Sequence, residues 1–336
     1  MTDNARELRE LVADVVDGMS FDDRGSDHLW ATLCDLGLPR VGIDEARGGS
    51  GGTFADLAVV VRALAEQAVG LPVGENALAS WVLAHDRAVD GTGTTLAFAI
   101  DGEYREDMAV LRIPAVPWLR QAGGVVVYRG GDDASYVETG EGVRVDEAEN
   151  LAGEPRDTLS VLGAAGTPLR AAPPMPDVRG RHTVLRAAAV AGAAEGAYRL
   201  TRDYVMQREQ FGKPLARIPA VAAGLAGMKV AIVQLDAVLA RAVDLYGTGT
   251  GTALRPRIAA AAAAAVIAAD AAAVCARTAH QLHGAMGVTR EYPLHHYTKR
   301  LWAWPGEVGS ETHSAEYLGA RALAGGEAAV WDELTA

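Results

Sequence analysis

Arg208-Glu209-Gln210-Phe211-Gly212-Lys213-Pro214 is a polar turn set between two long helical patterns. Upstream, from about Val184 to Met206, small and apolar residues recur at helical spacing with Tyr198, Arg199, Arg202 and Tyr204 interleaved, which reads as an amphipathic helix that Pro214 stops. Downstream, from about Ile218 to Leu245, a second helix carries Val221, Leu225, Met228, Ile232, Leu235 and Leu239 on one stripe. The turn is therefore expected at the end of a helical hairpin. An arginine three residues before Phe-Gly can put a bidentate cation and a flat apolar face on one ligand, such as a dinucleotide. A solvated helix end with an ordinary phenylalanine anchor uses the same residues.

A second stretch, Gln281-Leu282-His283-Gly284-Ala285-Met286-Gly287, closes a very alanine-rich helical pattern, and Tyr292-Pro293-Leu294-His295-His296-Tyr297 follows it. RxxFGK between two helices, then QxHGxxG about seventy residues later, in this order and spacing, resembles the acyl-CoA dehydrogenase family. The N-terminal third is similar to that family's opening helices at Trp30-Ala-Thr-Leu-Cys-Asp-Leu-Gly37-Leu-Pro39, at Gly48-Gly49-Ser50-Gly51-Gly52-Thr53 and at Leu64-Ala65-Glu66.

The chain has 336 residues, 49% of them apolar, which is enough to build a core for one large or a few small domains. A net charge of −12 with no lysine-rich stripe argues against nucleic acid. Cys34 and Cys275 are the only cysteines, so neither a disulfide scaffold nor a zinc cluster is expected, and no metal site. The opening Met1-Thr-Asp-Asn-Ala-Arg6 lacks the basic flank and apolar segment of a signal peptide, so a cytoplasmic location is expected. Ile258 to Ala276 is nearly free of charge, but it is mostly alanine, and Asp270 would cost about 2.5–3.5 kcal/mol in a bilayer. A tightly packed bundle or interface helix is expected there, without membrane insertion.

Residues 1–92 read as an N-terminal helical domain, with Leu8, Leu11 and Val15, then Leu29, Leu33 and Leu36, at three- and four-residue spacing, and with Gly37 as a helix cap. The Gly48–Gly52 run has no Lys-Ser/Thr and no strand entering it, so it reads as a flexible turn before a helix over about 54–67. Residues 93–178 read as a small β-domain of five to seven strands, from Thr95–Ile100, Met108–Ile113, Gly124–Tyr128, Ser135–Thr139 and Thr158–Leu162, with Pro173–Pro176 as an extended linker. Residues 179–336 read as a four-helix bundle with helices at roughly 181–212, 218–246, 255–283 and 293–325. The fold class is α+β, mainly α, and the order matches that of the family.

The resemblance implies FAD as cofactor, held mainly by a neighbouring subunit, with Arg208, Phe211, Gln281, Gly284, Ala285 and Gly287 reaching its adenine and pyrophosphate side. The chemistry suits those residues, because a pyrophosphate needs charge and close backbone approach needs glycine or alanine. It also implies a β-domain segment, aromatic-x-Thr-Glu followed by a Gly-Ser-Asp turn, that contacts the flavin ring. No such run stands between Thr94 and Pro174, and Val137-Glu138-Thr139-Gly140 does not replace it.

The family's reaction removes an α-proton from an acyl-CoA with a glutamate while a hydride passes to the flavin. Counting from Arg300, that glutamate's usual position holds Gly309; in the alternative arrangement, counting back from Phe211, it holds His182, which reads as a capping or surface residue. Glu307, two residues from Gly309, is the runner-up base, with an exposed turn glutamate as the plainer reading. Pro219 and Gly227 stand where relatives often have glutamine and aspartate.

Three functional readings follow. The first is a subunit of a two-gene acyl-CoA dehydrogenase, resembling the small subunit of the actinobacterial α2β2 enzymes of steroid catabolism. It would complete an FAD site with a longer catalytic partner and pass electrons to an electron-transferring flavoprotein. The second is a self-sufficient homomer using Glu307. The third is a structural subunit without cofactor contact.

Overall fold

The computed structural model describes residues 3–89, 93–99, 104–105, 110–129, 132–162, 166–247, 253–307 and 311–335. Two compact units are formed, each from separate stretches: Met1–Gly25, Ala58–Gly70 and Thr183–Ala336 make one, Ser26–Leu57 and Leu71–His182 the other.

Helix α1 spans Asp3–Val16 and buries Ala5, Val12 and Val16, while Leu8, Leu11 and Val15 stay half-buried. The expected stripe is thus turned by about a residue. The cause is Arg9, which shares the 5/9/12/16 face and donates to the buried Glu66 at 2.8 Å, so a charged residue lies in the seam. Helix α2, Asp27–Asp35, starts at Ser26, whose hydroxyl accepts from the Leu29 N–H at 3.3 Å. Leu29 and Leu33 are buried, but Leu36, expected beside them, is 43% exposed. Gly37 follows with φ 72° and donates to the Cys34 carbonyl at 2.9 Å, the cap its position suggests.

The Gly48–Gly52 run is a packed turn rather than a flexible one. A Cβ at Gly48 would strike the Val89 carbonyl, and one at Gly49 the Ile43 carbonyl. Thr53 and Asp56 then cap helix α3, Phe54–Glu66, reciprocally: each side chain accepts from the other's backbone N–H, at 3.2 and 2.8 Å. Helix α4 covers Val73–Ala84.

Eight strands follow: β1 Thr94–Phe98, β2 Tyr104–Arg105, β3 Val110–Pro117, β4 Gly124–Tyr128, β5 Ala134–Glu138, β6 Val143–Asp146, β7 Arg156–Leu162 and β8 Thr167–Pro168. They form two four-stranded sheets, β1-β4-β5-β8 and β2-β3-β7-β6, with β1 and β4 parallel. Among the described residues the count exceeds the expected five to seven because β2 and β8, two residues long, show no alternation. Ile100 and Met108–Ala109, read as strand ends, lie outside the described residues. Val125, Val127, Leu111, Leu159 and Val161 belong to one apolar core.

Asp157, fully buried on β7, accepts from the Arg120 guanidinium at 2.6 Å and from the backbone N–H groups of Arg120 and Ala148 at 2.8 and 3.0 Å. Burial alone would raise its pKa. Those hydrogen bonds outweigh it and hold the carboxyl below its ordinary range.

The remaining helices are α5 Met175–Gln207, α6 Pro219–Gly247, α7 Leu254–His283, α8 Leu294–Ala303 and α9 Glu311–Thr335. Helix α5 begins inside the stretch expected to be a linker, because Pro176 falls in the first turn, where a missing N–H costs nothing. Trp304-Pro305-Gly306 forms a 3-10 turn that ends α8, so the last expected helix is two. Along α5, a Cβ at Gly192 would strike the Arg62 carbonyl and one at Gly196 the Tyr297 ring, so these glycines let α3 and α8 approach.

By length and composition α6 and α7 could each cross a membrane. In α7, however, most of the alanines from Ala259 to Ala279 are buried within the bundle against α6 and α9, and Asp270 is exposed. This is the close packing expected of it. Burial pushes the Cys275 thiol up to about 12, so it stays protonated there. Helix α6 leaves Val230 and Val233 exposed on its outer face.

Candidate functional site

Helix α5 ends at Gln207, earlier than the expected 212, because the chain turns into a hairpin. Glu209–Gln210 (β9) pairs antiparallel with Lys213–Pro214 (β10), and the Leu215 N–H donates back to the Arg208 carbonyl at 2.8 Å. Phe211 and Gly212 are the central pair, with φ 55° and 74°, as a type I′ turn requires. Glycine takes that conformation freely; a phenylalanine there costs about 1–2 kcal/mol. Its ring is nevertheless 87% exposed. Arg208 is exposed too, and its guanidinium makes no hydrogen bond or ion pair among the described residues.

The second motif closes α7. Gly284 has φ 58° and ψ −135°, a conformation open essentially to glycine, and donates to the His280 carbonyl. Apart from its own neighbours along the chain, no atom of the described residues lies within 4 Å of where its Cβ would stand, so a ligand can approach the backbone there. Gln281, Gly284 and Ala285 are exposed, whereas Gly287 is buried, and a Cβ on it would lie 2.8 Å from that of His283. Glycine at 287 thus has a packing reason of its own.

The two motifs meet through a ring cluster. Tyr204, one turn before Arg208, stacks on His283 at 4.5 Å, and the Tyr292 ring lies 4.9 Å from His283 and 5.7 Å from Tyr204. Neither motif names these tyrosines as a joint; only their helical offset from Arg208 and Gln281 could have suggested it. His283 is 3% exposed and donates from Nδ1 to the Ala279 carbonyl at 2.8 Å. Burial lowers its pKa, so the ring is neutral near pH 7 and Nε2 is a buried lone pair with no hydrogen bond among the described residues.

The candidate bases fare differently from expectation. Glu307 is not an exposed turn residue: its side chain is 15% exposed and pairs with Arg186, itself 11% exposed, at 3.1 Å. The Arg186 guanidinium also lies over the Trp304 ring. A carboxylate engaged by a cation is a poor proton acceptor for a carbon acid, which needs an unpaired one in an apolar pocket. His182 is neither a cap nor on the surface. It sits on the third turn of α5, 3% exposed, with its ring 6.3 Å from that of Phe98. Gly309 lies outside the described residues. In the β-domain, the Thr139 hydroxyl donates to the Ala122 carbonyl and is used within the fold.

Arg208 and Phe211 are thus exposed at the hairpin, Gly284 offers exposed backbone at the end of α7, and the Tyr204–His283 stack links the two helices. The model of the acyl-CoA dehydrogenase N-terminal domain matches residues 2–86, and that of the C-terminal domain residues 180–304, together more than half of the chain. The acyl-CoA dehydrogenase IpdE2 of Mycobacterium tuberculosis is 29% identical over 287 residues, 83% of this chain and 81% of that protein. Among solved structures, a chain of the ChsE4-ChsE5 complex from Mycobacterium tuberculosis superposes with a TM-score of 0.79 at 22% identity, covering 97% of this chain and 98% of that one. An acyl-CoA dehydrogenase complexed with FAD from Bacillus anthracis superposes with a TM-score of 0.80 at 15% identity, covering 97% and 69%. Both motifs lie within the C-terminal match, and the chain belongs to the acyl-CoA dehydrogenase family.

Proposed function

We propose that this chain is a subunit of an FAD-dependent acyl-CoA dehydrogenase that completes an FAD site together with a longer, base-bearing partner, in an α2β2 complex in the cytoplasm. When bound, FAD supplies the hydride acceptor for α,β-dehydrogenation of a CoA thioester, and an electron-transferring flavoprotein takes the electrons onward. Arg208 supplies charge to the pyrophosphate, Phe211 an apolar face, and Gln281, Gly284 and Ala285 a surface on which a phosphate can sit close to backbone.

The observation that carries this reading is Phe211. A large apolar ring in a left-handed turn, almost wholly in solvent, carries about 1–2 kcal/mol of backbone strain and no return from burial in the chain alone, and contact with a cofactor and a second chain would gain roughly 1.5–3 kcal/mol. The apolar outer face of α6 and the ion pair that engages Glu307 support a partner that covers the rim and brings the base.

The test is purification of the chain alone and with its partner. Alone, it is expected nearly colourless and inactive; with the partner, the complex is expected to carry FAD and to bleach anaerobically on mixing with acyl-CoA. Stoichiometric FAD and full turnover in the isolated chain would overturn the reading.

A further inference from the structure

The hairpin that presents Arg208 and Phe211 carries a second cation, Lys213. Its register pairs Gln210 with Lys213 and Glu209 with Pro214, and the bond from the Leu215 N–H to the Arg208 carbonyl sets Arg208 opposite Leu215. The two-residue loop at Phe211 and Gly212, both in the left-handed region, holds that register. Side chains alternate along a strand and directly paired residues share a face, so Arg208, Gln210 and Lys213 rise from one side of the ribbon and Glu209 from the other. Arg208 and Lys213 are diagonal neighbours on their side, about 7–8 Å apart, within reach of two long side chains. Lys213 is exposed, and its ammonium makes no hydrogen bond or ion pair among the described residues. No carboxylate claims the two cations: Glu209, and Glu291 beside the ring cluster, make no ion pair with either among the described residues, and Asp203 is engaged by Arg202 at 2.8 Å.

A pyrophosphate carries two negative charges, and Arg208 brings one positive charge to it. A guanidinium grips such oxygens through a planar fork, whereas an ammonium on a flexible stem adds a compact charge with no fixed angle of approach, so the two together suit a group whose oxygens belong to two phosphorus atoms. Resting on the reading of this chain as half of an FAD site, we propose that Lys213 is a cofactor-binding residue, the second cation set against the pyrophosphate that Arg208 engages. Attraction between such exposed groups is screened by salt. A lysine that served only the negative end of α5 would show in the melting temperature instead.

The assay is an amine footprint of the complex with its partner, stripped of flavin and then reloaded with FAD. Lys213 is one of three lysines in the chain; Lys229 is tied to Glu195 at 2.9 Å, and Lys299 is exposed on α8 and serves as the internal standard. Brief treatment with acetic anhydride, read at each lysine by mass spectrometry, should show FAD slowing Lys213 relative to Lys299 by roughly tenfold, the lower end of what a hydrogen bond to a charged group contributes. In parallel, Lys213→Gln should weaken FAD binding by the complex about tenfold, with Lys213→Arg restoring most of it and the melting temperature of the chain unchanged. The gap between wild type and Lys213→Gln should narrow as sodium chloride is raised. A complex that takes up no FAD would remove the half-site reading and the proposal with it. A complex that takes up FAD with the same ratio of Lys213 to Lys299 acetylation in both states, or with wild-type affinity in Lys213→Gln, would overturn the proposal and leave that reading standing.

Discussion

At Phe211 the side chain and its own backbone disagree. Phe211→Gly relieves the left-handed strain, worth about 1–2 kcal/mol, against a roughly 0.5–1 kcal/mol entropic cost of an added glycine. We expect the melting temperature of this variant to hold or rise while FAD occupancy of the complex falls; a drop in stability with occupancy intact would mean the ring serves the fold. Arg208→Ala should lower flavin affinity by roughly 10- to 150-fold, the equivalent of about 1.5–3 kcal/mol for hydrogen bonds to a charged group, with melting unchanged. Glu307→Gln has the opposite profile. Breaking its pair with Arg186 should cost roughly 2 kcal/mol, less than at a fully buried pair, while the rate of flavin reduction stays within a few fold. Loss of that rate with FAD still bound would make Glu307 the base after all.

Helix α8 carries a pH dependence that its sequence hides. His296 stacks on Phe21 at 5.5 Å, and burial, then His295 and Arg300, push its pKa down to about 4. In the unfolded chain it titrates near 6.5. The stability tied to neutral His296 is therefore fully present above pH 6.5 and is lost as pH falls toward about 4, a loss on the order of 3 kcal/mol. His283 acts in the same direction. Asp157 acts lower: its share is present above the ordinary carboxylate value and is lost only as pH falls below it. Melting scans should show a slope from pH 6.5 downward that His296→Phe flattens, and a steeper fall in acid that His296→Phe leaves in place; an unaltered upper slope would refute the assignment. The helices and most of the longer strands were legible from periodicity, as was the Gly37 cap, because each depends on neighbours a few residues away. The rotation of α1 was not, since Arg9 finds Glu66 across 57 positions. Nor was Glu307 legible, whose partner sits on another helix.

For the molecule as a whole, the two motifs were readable as the ends of two long helices, and the rings that join them were not, because stacking between Tyr204 and His283 leaves no local pattern. A shared site also sets a stoichiometry: absorbance of the purified complex should give one FAD for every two chains, and one per chain would return the homomeric reading. The alanine seam of α7 has a mechanical corollary. Methyl groups have no rotamers with which to absorb a shift, so α6 and α7, packed on each other, should move as one stiff rod, and Gly284 stands at the end of α7. A load placed on the rim is then carried along the axis instead of being dissipated beside it, and amide exchange should slow along the length of α7 when the rim is filled.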